Sequence, residues 1–367
     1  MGRCTQRPAP PRPYIAFVVN QASNTLTAVN LGTLRIVNSA AVPAQPVQVL
    51  ARPATRELWI LSQSGVISIM TPGLETAATI HIGSSAASLA MTADGRLAAA
   101  YDSSAGLIDL VNCDARSITA RTRAGTGVSA LAFTPDGQSL IASDAAHDRL
   151  MVIDAKNGQI VGTIGVGKDP GPIALLSDGS KLFVADTREP KISAVDLASR
   201  QVLSNIELAA APGALLLKPD GGELIALGRD AATLTILDTF HDDVETEMPA
   251  GINPRAAVAT RDSARLYVSN SGDGSVEAID LQNRVVLAST RAGIAPGALA
   301  LTPDERYLAV TDPANSSLAI LGTNPMNPKL KIKSSPPPMI TTLPLVTTIP
   351  VGARPVDVVI PDWIGVP

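Results

Sequence analysis

Three histidines, His81, His147 and His241, and two cysteines, Cys4 and Cys113, are the only residues of their kinds in this 367-residue chain. The cysteines lie 109 positions apart, so they cannot form a disulfide framework. No CxxC pair or Cys/His cluster has the spacing of a zinc site. No GxSxG elbow, phosphate-binding loop or HExxH helix occurs either. A general base is on offer only at His147, which sits beside Asp144 and Asp148. The remaining chemistry-bearing residues are scattered through five short loops. These read DAAHDR (144–149), DTREPK (186–191), GRDAAT (228–233), NSGDGS (270–275) and DPANSS (312–317). Lys168, Asp169, Arg255 and Arg354 stand in the joints between them.

What positions these loops is a repeat. Segments beginning at Pro46, Ala86, Val128, Pro170, Pro212, Pro254 and Pro296 follow one another at steps of 40 and then 42 residues. Each carries the same four-part text, clearest in VSALAFTPDGQSLIASDAAHDRLMVIDAKNGQIVGTIGVG. Short Val/Ile/Leu runs alternate with Gly, Pro, Asp or Asn, the pattern of short strands joined by tight turns. The first turn recurs as TADG, TPDG, LSDG, KPDG, TRDS and TPDE, with Pro at a position that fixes φ and Asp able to bond its own backbone. Asp154, Asp196, Asp238 and Asp280 recur at the end of the third run. A carboxylate repeated in every unit is architectural; a catalytic one would be singular.

Four strands in about 42 residues, many times over, predict an all-β chain folded as a single β-propeller. A helical solenoid is excluded because Gly, Pro or Asp interrupts every eight to ten residues. Residues 14–45 supply second, third and fourth strands without a first. The segment 354–360, RPVDVVI, supplies a first strand without its sequel. Joining them closes the ring and removes two open sheet edges. Eight blades are expected, or seven should one unit be degenerate. Residues 14–367 form the single domain, preceded by a disordered tail at 1–13. An insertion at 324–342, rich in Lys and Pro, interrupts the last unit as a surface loop, with a docking element for a partner as its alternative.

The phrases YIAFVVN, LFVAD, LYVSN and LAVTD, each followed by a loop, a strand ending in Asp and a G-x-x-P joint such as GINP or GIAP, carry a family likeness. The chain resembles the YVTN-repeat β-propellers of surface-layer and lactonase-like type from about Tyr14 to Asp362. That resemblance implies a bacterial, extracytoplasmic protein. It also implies relatives that include lactone hydrolases and cofactor-carrying oxidoreductases. It says little of activity, because the repeated motif is the scaffold.

Composition narrows the function classes further. The charged fraction is only 17%, the net charge −4, and 46% of residues are hydrophobic. An acidic chain without a basic stripe is not expected to bind nucleic acid. No run reaches the roughly 18 apolar residues of a membrane span. The first residues, MGRCTQRPAPPRP, have no apolar stretch and do not read as a signal peptide. In a propeller the second-to-third-strand loops and the inter-blade joints share one face around the channel mouth. The candidate ligand-binding residues are therefore Asp144, His147, Arg149, Asp186, Arg188, Arg229, Asn270, Asp312, Arg255 and Arg354. Neither a catalytic set, a metal site nor a cofactor is expected. The function expected is a monomeric binding or scaffold propeller, recognising a protein, carbohydrate or small polar ligand through this rim. A lactonase-type hydrolase is the alternative.

Overall fold

The computed structural model describes residues 13–228, 230–323 and 342–363 of the chain. Among them lie 32 strands in eight four-stranded antiparallel sheets, and no helix. No described helix is therefore long and apolar enough to cross a membrane. The sheets are the blades of a ring. Blade 1 joins the three strands within Ile15–Ala41 to the C-terminal strand Pro355–Val359. Blades 2 to 8 then follow in chain order, starting at Pro46, Ala86, Val128, Pro170, Pro212, Pro254 and Leu299.

Closure follows the sequence expectation. Pro355–Val359 lies antiparallel to Ile15–Asn20, with Phe17 opposite Val359 and Val19 opposite Asp357. Trp363 continues past the strand and packs on Phe17, their ring centroids 6.3 Å apart. The tail call falls on residues outside the described ones, save Pro13, and the insertion call likewise, save Thr342.

The burial pattern explains the low charge. Second and third strands are buried on both faces, as in Ser139–Asp144 and Arg149–Asp154, because each blade is sandwiched between two others. Such strands read as continuous apolar runs, not as alternation. Fourth strands such as Gln201–Glu207 alternate exposed with half-buried or buried residues, since their outer face meets solvent. Eight apolar clusters fill the spaces around the ring, mostly between neighbouring blades, with Trp59, Tyr101, Phe183 and Tyr267 among the largest fully buried side chains.

The turns obey the chemistry read from the sequence. In the first turns of blades 3, 4 and 7, the Thr92, Thr134 and Thr260 hydroxyls each donate to the Asp two residues on at 2.6 Å. The same hydroxyls accept from the backbone N–H five residues on. Asp154, Asp196, Asp238 and Asp280 accept from backbone N–H groups of the third-to-fourth-strand turns. Both sets therefore act as turn caps.

Blade 2 departs from the pattern. Where blades 3, 4, 7 and 8 have the turn threonine, it has the buried Arg52. That guanidinium donates to the Gly95 carbonyl at 2.7 Å and the Cys113 carbonyl at 3.3 Å, and pairs with Glu57 at 3.2 Å and with Asp114. It ties blade 2 to blade 3.

Candidate functional site

The upper face of the ring carries the inter-blade joints and the second-to-third-strand loops, as expected. Its framework is a ring of eight equivalent residues that close the second strands: Asn20, Ser62, Asp102, Asp144, Asp186, Gly228, Asn270 and Asp312. Seven side chains are buried under the joints, and the eighth position is glycine. Asp312 accepts from the N–H groups of Ile294 and Ala295 at 2.9 and 3.1 Å. Asp102 does the same for Ser84 and Ser85 at 3.4 and 3.2 Å. A carboxylate so placed satisfies joint donors that have no ladder partner.

The joint must make room for that side chain. A Cβ on Gly293 would sit 2.2 Å from Asp312 Oδ2, and one on Gly167 would sit 2.1 Å from Asp186 Oδ2. Gly83, Gly251 and Gly352 stand likewise over Asp102, Asn270 and Asn20. Where the joint begins with a larger residue, the strand end shrinks. Pro43 faces Ser62, whose hydroxyl donates to the Pro43 carbonyl at 3.0 Å, and the Ala209–Ala211 joint faces Gly228. Four of the residues singled out in the sequence, Asp144, Asp186, Asn270 and Asp312, are therefore buried at the strand ends beneath the joints, and Asp312 bonds the joint backbone directly.

Two ring members are imperfectly satisfied. Asn270 donates to the Ser275 hydroxyl at 3.0 Å, while its Oδ1 is buried without a partner. Asp186 is more extreme. Its Oδ1 has no partner, and its Oδ2 meets only the Ser193 hydroxyl, at 3.1 Å. Burial pushes this carboxyl up to about 6.

His147 approaches Asp144 through Nδ1 at 2.8 Å, and Arg149 donates to the same carboxylate through Nε at 2.8 Å. On the opposite face, His241 pairs with Asp238 in the same i,i+3 relation, Nδ1 to Oδ2 at 3.2 Å. The pairing thus belongs to a turn geometry that this chain uses twice. His81 ends an outer strand, so the three imidazoles lie apart, as expected. Among the described residues no three His, Cys, Asp or Glu side chains come together as a metal-binding group. Cys113 is buried beneath blade 3, and burial pushes its thiol up to about 12.

Most charges on the rim neutralise one another. Lys168 pairs with Asp148 at 2.6 Å, Arg188 with Asp169 at 3.3 Å, and Lys191 with Glu207 at 3.3 Å. Arg229 lies outside the described residues. Arg255 and Arg354 differ from the rest. Both are exposed, neither guanidinium has a hydrogen bond or ion pair among the described residues, and both line one cavity of about 550 Å³.

Local backbone puts them there. In every blade except the eighth, the inner strand bulges after its first residue, which frees the next side chain from the ladder. The residues so freed are Val47, Ala87, Ser129, Gly171, Gly213, Arg255 and Val356, of which only Arg255 is charged. Arg354 closes the last joint with φ 55°, and its carbonyl is held by the Gln21 N–H at 2.9 Å. Between the two arginines the inner strand of blade 8 is cut to Leu299–Leu301. Pro296 leaves the ladder, while the Gly297 N–H still donates to the Thr311 carbonyl at 2.8 Å; both line the cavity, with Pro313, Ala314, Ser271 and Ser316 among the other wall residues. No Asp or Glu lines it.

Deeper on the channel wall, Asp357 reaches sideways to accept the Val49 N–H at 2.9 Å, linking blade 1 to blade 2. Its enclosed position raises it to about 6. Gln48 bridges blade 2 to blade 3 in the same manner through both main-chain groups of Leu89.

No family model and no curated protein sequence matches the chain. Solved structures do. Dihydro-heme d1 dehydrogenase NirN, solved in complex with DHE, aligns over 97% of this chain and 78% of its own, at 15% identity and a TM-score of 0.79. Hydrazine synthase of Kuenenia stuttgartiensis aligns over 73% and 87%, at 20% identity and 0.58. A functionally unknown protein from Desulfotomaculum acetoxidans aligns over 74% and 94%, at 14% identity and 0.61. At such identities the likeness is one of fold, and together with the eight observed sheets it identifies the chain as an eight-bladed β-propeller.

Proposed function

We propose that this propeller is a non-catalytic ligand-binding protein whose site is the cavity between blades 7, 8 and 1 at the channel mouth. The observation that carries this reading is the local breach of eightfold regularity. At blade 8 the inner strand shortens to Leu299–Leu301 and a cavity of about 550 Å³ opens beside it, where the repeated joint residues Pro296 and Gly297 are joined by the non-repeated Arg255, Pro313 and Arg354. That volume lies within the roughly 300–1,000 Å³ typical of small-molecule sites. A ligand-binding role also agrees with the fold's likeness to NirN, which is solved in complex with DHE. The YVTN-like phrases support placing the chain with the exported bacterial propellers of that type.

The test is a fragment screen by ligand-observed NMR on the full chain and on Ala314→Trp. Ala314 is an exposed residue of the cavity wall, so the indole fills the space without disturbing the core. Hits lost on Ala314→Trp support the reading. A hit set unchanged by that substitution overturns it.

The lactonase-type alternative has one observation in its favour, the buried Asp144 orienting an accessible His147. Turnover of a lactone panel by the wild-type chain, abolished in His147→Ala, would establish it.

A further inference from the structure

We infer that the cavity between blades 7, 8 and 1 takes an organic anion: a carboxylate or phosphate monoester carried on a compact apolar skeleton. This rests on the ligand-binding reading above and gives the ligand its chemical class. Three features support it. The first is unbalanced charge. Arg255 and Arg354 bring two guanidinium groups to the cavity, no carboxylate lines it, and neither arginine has an internal partner among the described residues. Elsewhere on the rim Arg149, Lys168, Arg188 and Lys191 each spend their charge on a neighbouring carboxylate. In a chain of net charge −4, such a local excess is not a by-product of general basicity.

The second feature is size. A cavity of about 550 Å³ is far larger than a bare oxyanion requires, and leaves room for a body attached to the anionic group. The third is the nature of the walls. Ala22, Ala295, Pro296, Pro313 and Ala314 present a surface with few hydrogen-bonding side chains, suited to an apolar skeleton. Arg255 and Arg354 approach from the blade 7 and blade 1 sides of this surface. Guanidinium forks match carboxylate and phosphate oxygens in bidentate geometry, which a lysine pair would not.

Isothermal titration of the full chain separates the possibilities with four probes: isophthalate, phenyl phosphate, isophthalamide and inorganic phosphate. Isophthalate or phenyl phosphate is expected to bind at least tenfold more tightly than both isophthalamide, which lacks the charge, and inorganic phosphate, which lacks the body. Arg255→Ala and Arg354→Ala are each expected to weaken the better probe about tenfold or more, with Arg255→Lys intermediate. Arg96→Ala, on the opposite face, is expected to leave binding unchanged. Raising salt from 50 to 300 mM should weaken the anions and spare isophthalamide. Equal binding of isophthalamide and isophthalate overturns the anion class while leaving the ligand site standing. Binding of an anion that survives both alanine substitutions overturns the assignment of the arginines. Failure of both organic anions to bind overturns this inference, and the fragment screen on Ala314→Trp then judges the ligand reading separately.

Discussion

Replacing Asp186 by asparagine is expected to stabilise the ring at neutral pH and to do nothing for it in acid. The carboxyl is fully buried, Oδ1 has no partner, and Oδ2 shares the Ser193 hydroxyl with Asn205 Oδ1, which is also 3.1 Å away. One hydroxyl proton cannot serve two acceptors. If Asp186 keeps its own proton it donates to Ser193, and Ser193 is then free to donate to Asn205. Burial, with Glu189 adding and Lys191 opposing, moves this carboxyl from its ordinary 3.8 to about 6. The folded chain therefore binds more protons than the unfolded one between these values, and stability falls as pH rises through that window. Above pH 6 the deficit levels off at roughly two pK units, or about 3 kcal/mol as an upper bound. Asparagine cannot ionise, and it already stands at the equivalent positions 20 and 270. Asp186→Asn should thus gain about 1–3 kcal/mol at pH 8 and close to nothing at pH 4. With an unfolding entropy of roughly 2.1 cal/mol/K per residue, that is a rise of about 1–4 °C in melting temperature. Differential scanning calorimetry of both proteins from pH 4 to 8 measures it, and other titrating groups, Asp357 included, cancel in the difference. A gain that does not grow with pH, or a loss at pH 8, refutes the reasoning.

Three further outcomes follow from the same architecture. Removing residues 354–367 strips blade 1 of its inner strand and of buried Val358, Ile360 and Trp363, at about 1.5–3 kcal/mol per large side chain; a truncated chain melting within a degree of the full one contradicts closure. Gly293→Ala drives a methyl against Asp312 and displaces its bonds to Ile294 and Ala295, for a loss of about 1–3 kcal/mol in urea unfolding. Pairing it with Asp312→Ser should recover much of that loss, as Pro43 and Ser62 coexist in blade 2; a purely additive double mutant refutes the complementarity. Arg52→Met leaves the Gly95 and Cys113 carbonyls without their donor and should lower stability by about 2–4 kcal/mol, and an unchanged urea midpoint would show that the blade 2–3 tie is dispensable.

Much of this fold is written in the sequence because every blade solves the same packing problem with the same text. The 42-residue step, the Thr-x-Asp turns and the split first blade all follow from that repetition. The site is less legible for the same reason. Asp144, Asp186, Asn270 and Asp312 look like rim ligands, since polar residues at loop starts are ordinary marks of function. The burial of Asp186, Asn270 and Asp312 becomes readable only when each is matched with the joint opposite it: glycine over Asp or Asn, Pro43 over Ser62, and Ala209–Ala211 over Gly228. Arg255 and Arg354 were visible as candidates, but nothing in the text separates them from Arg188 or Arg149, whose charges are spent on carboxylates. The cavity itself has no local signature. PGALAL in blade 8 and PGALLL in blade 6 are nearly the same phrase, yet the blade 6 strand starts at Pro212 and the blade 8 strand only at Leu299. Pro313, beside Gly297 and without a counterpart in the other second-to-third-strand loops, marks the difference.

The central claim is that the breach at blade 8 is a binding site for an organic anion, and a crystal of the full chain soaked in isophthalate tests it most directly. The account predicts density for the diacid between Arg255 and Arg354, against Pro296 and Pro313. Diacid density confined to other parts of the rim, or a cavity without it at saturating concentration, would contradict the claim.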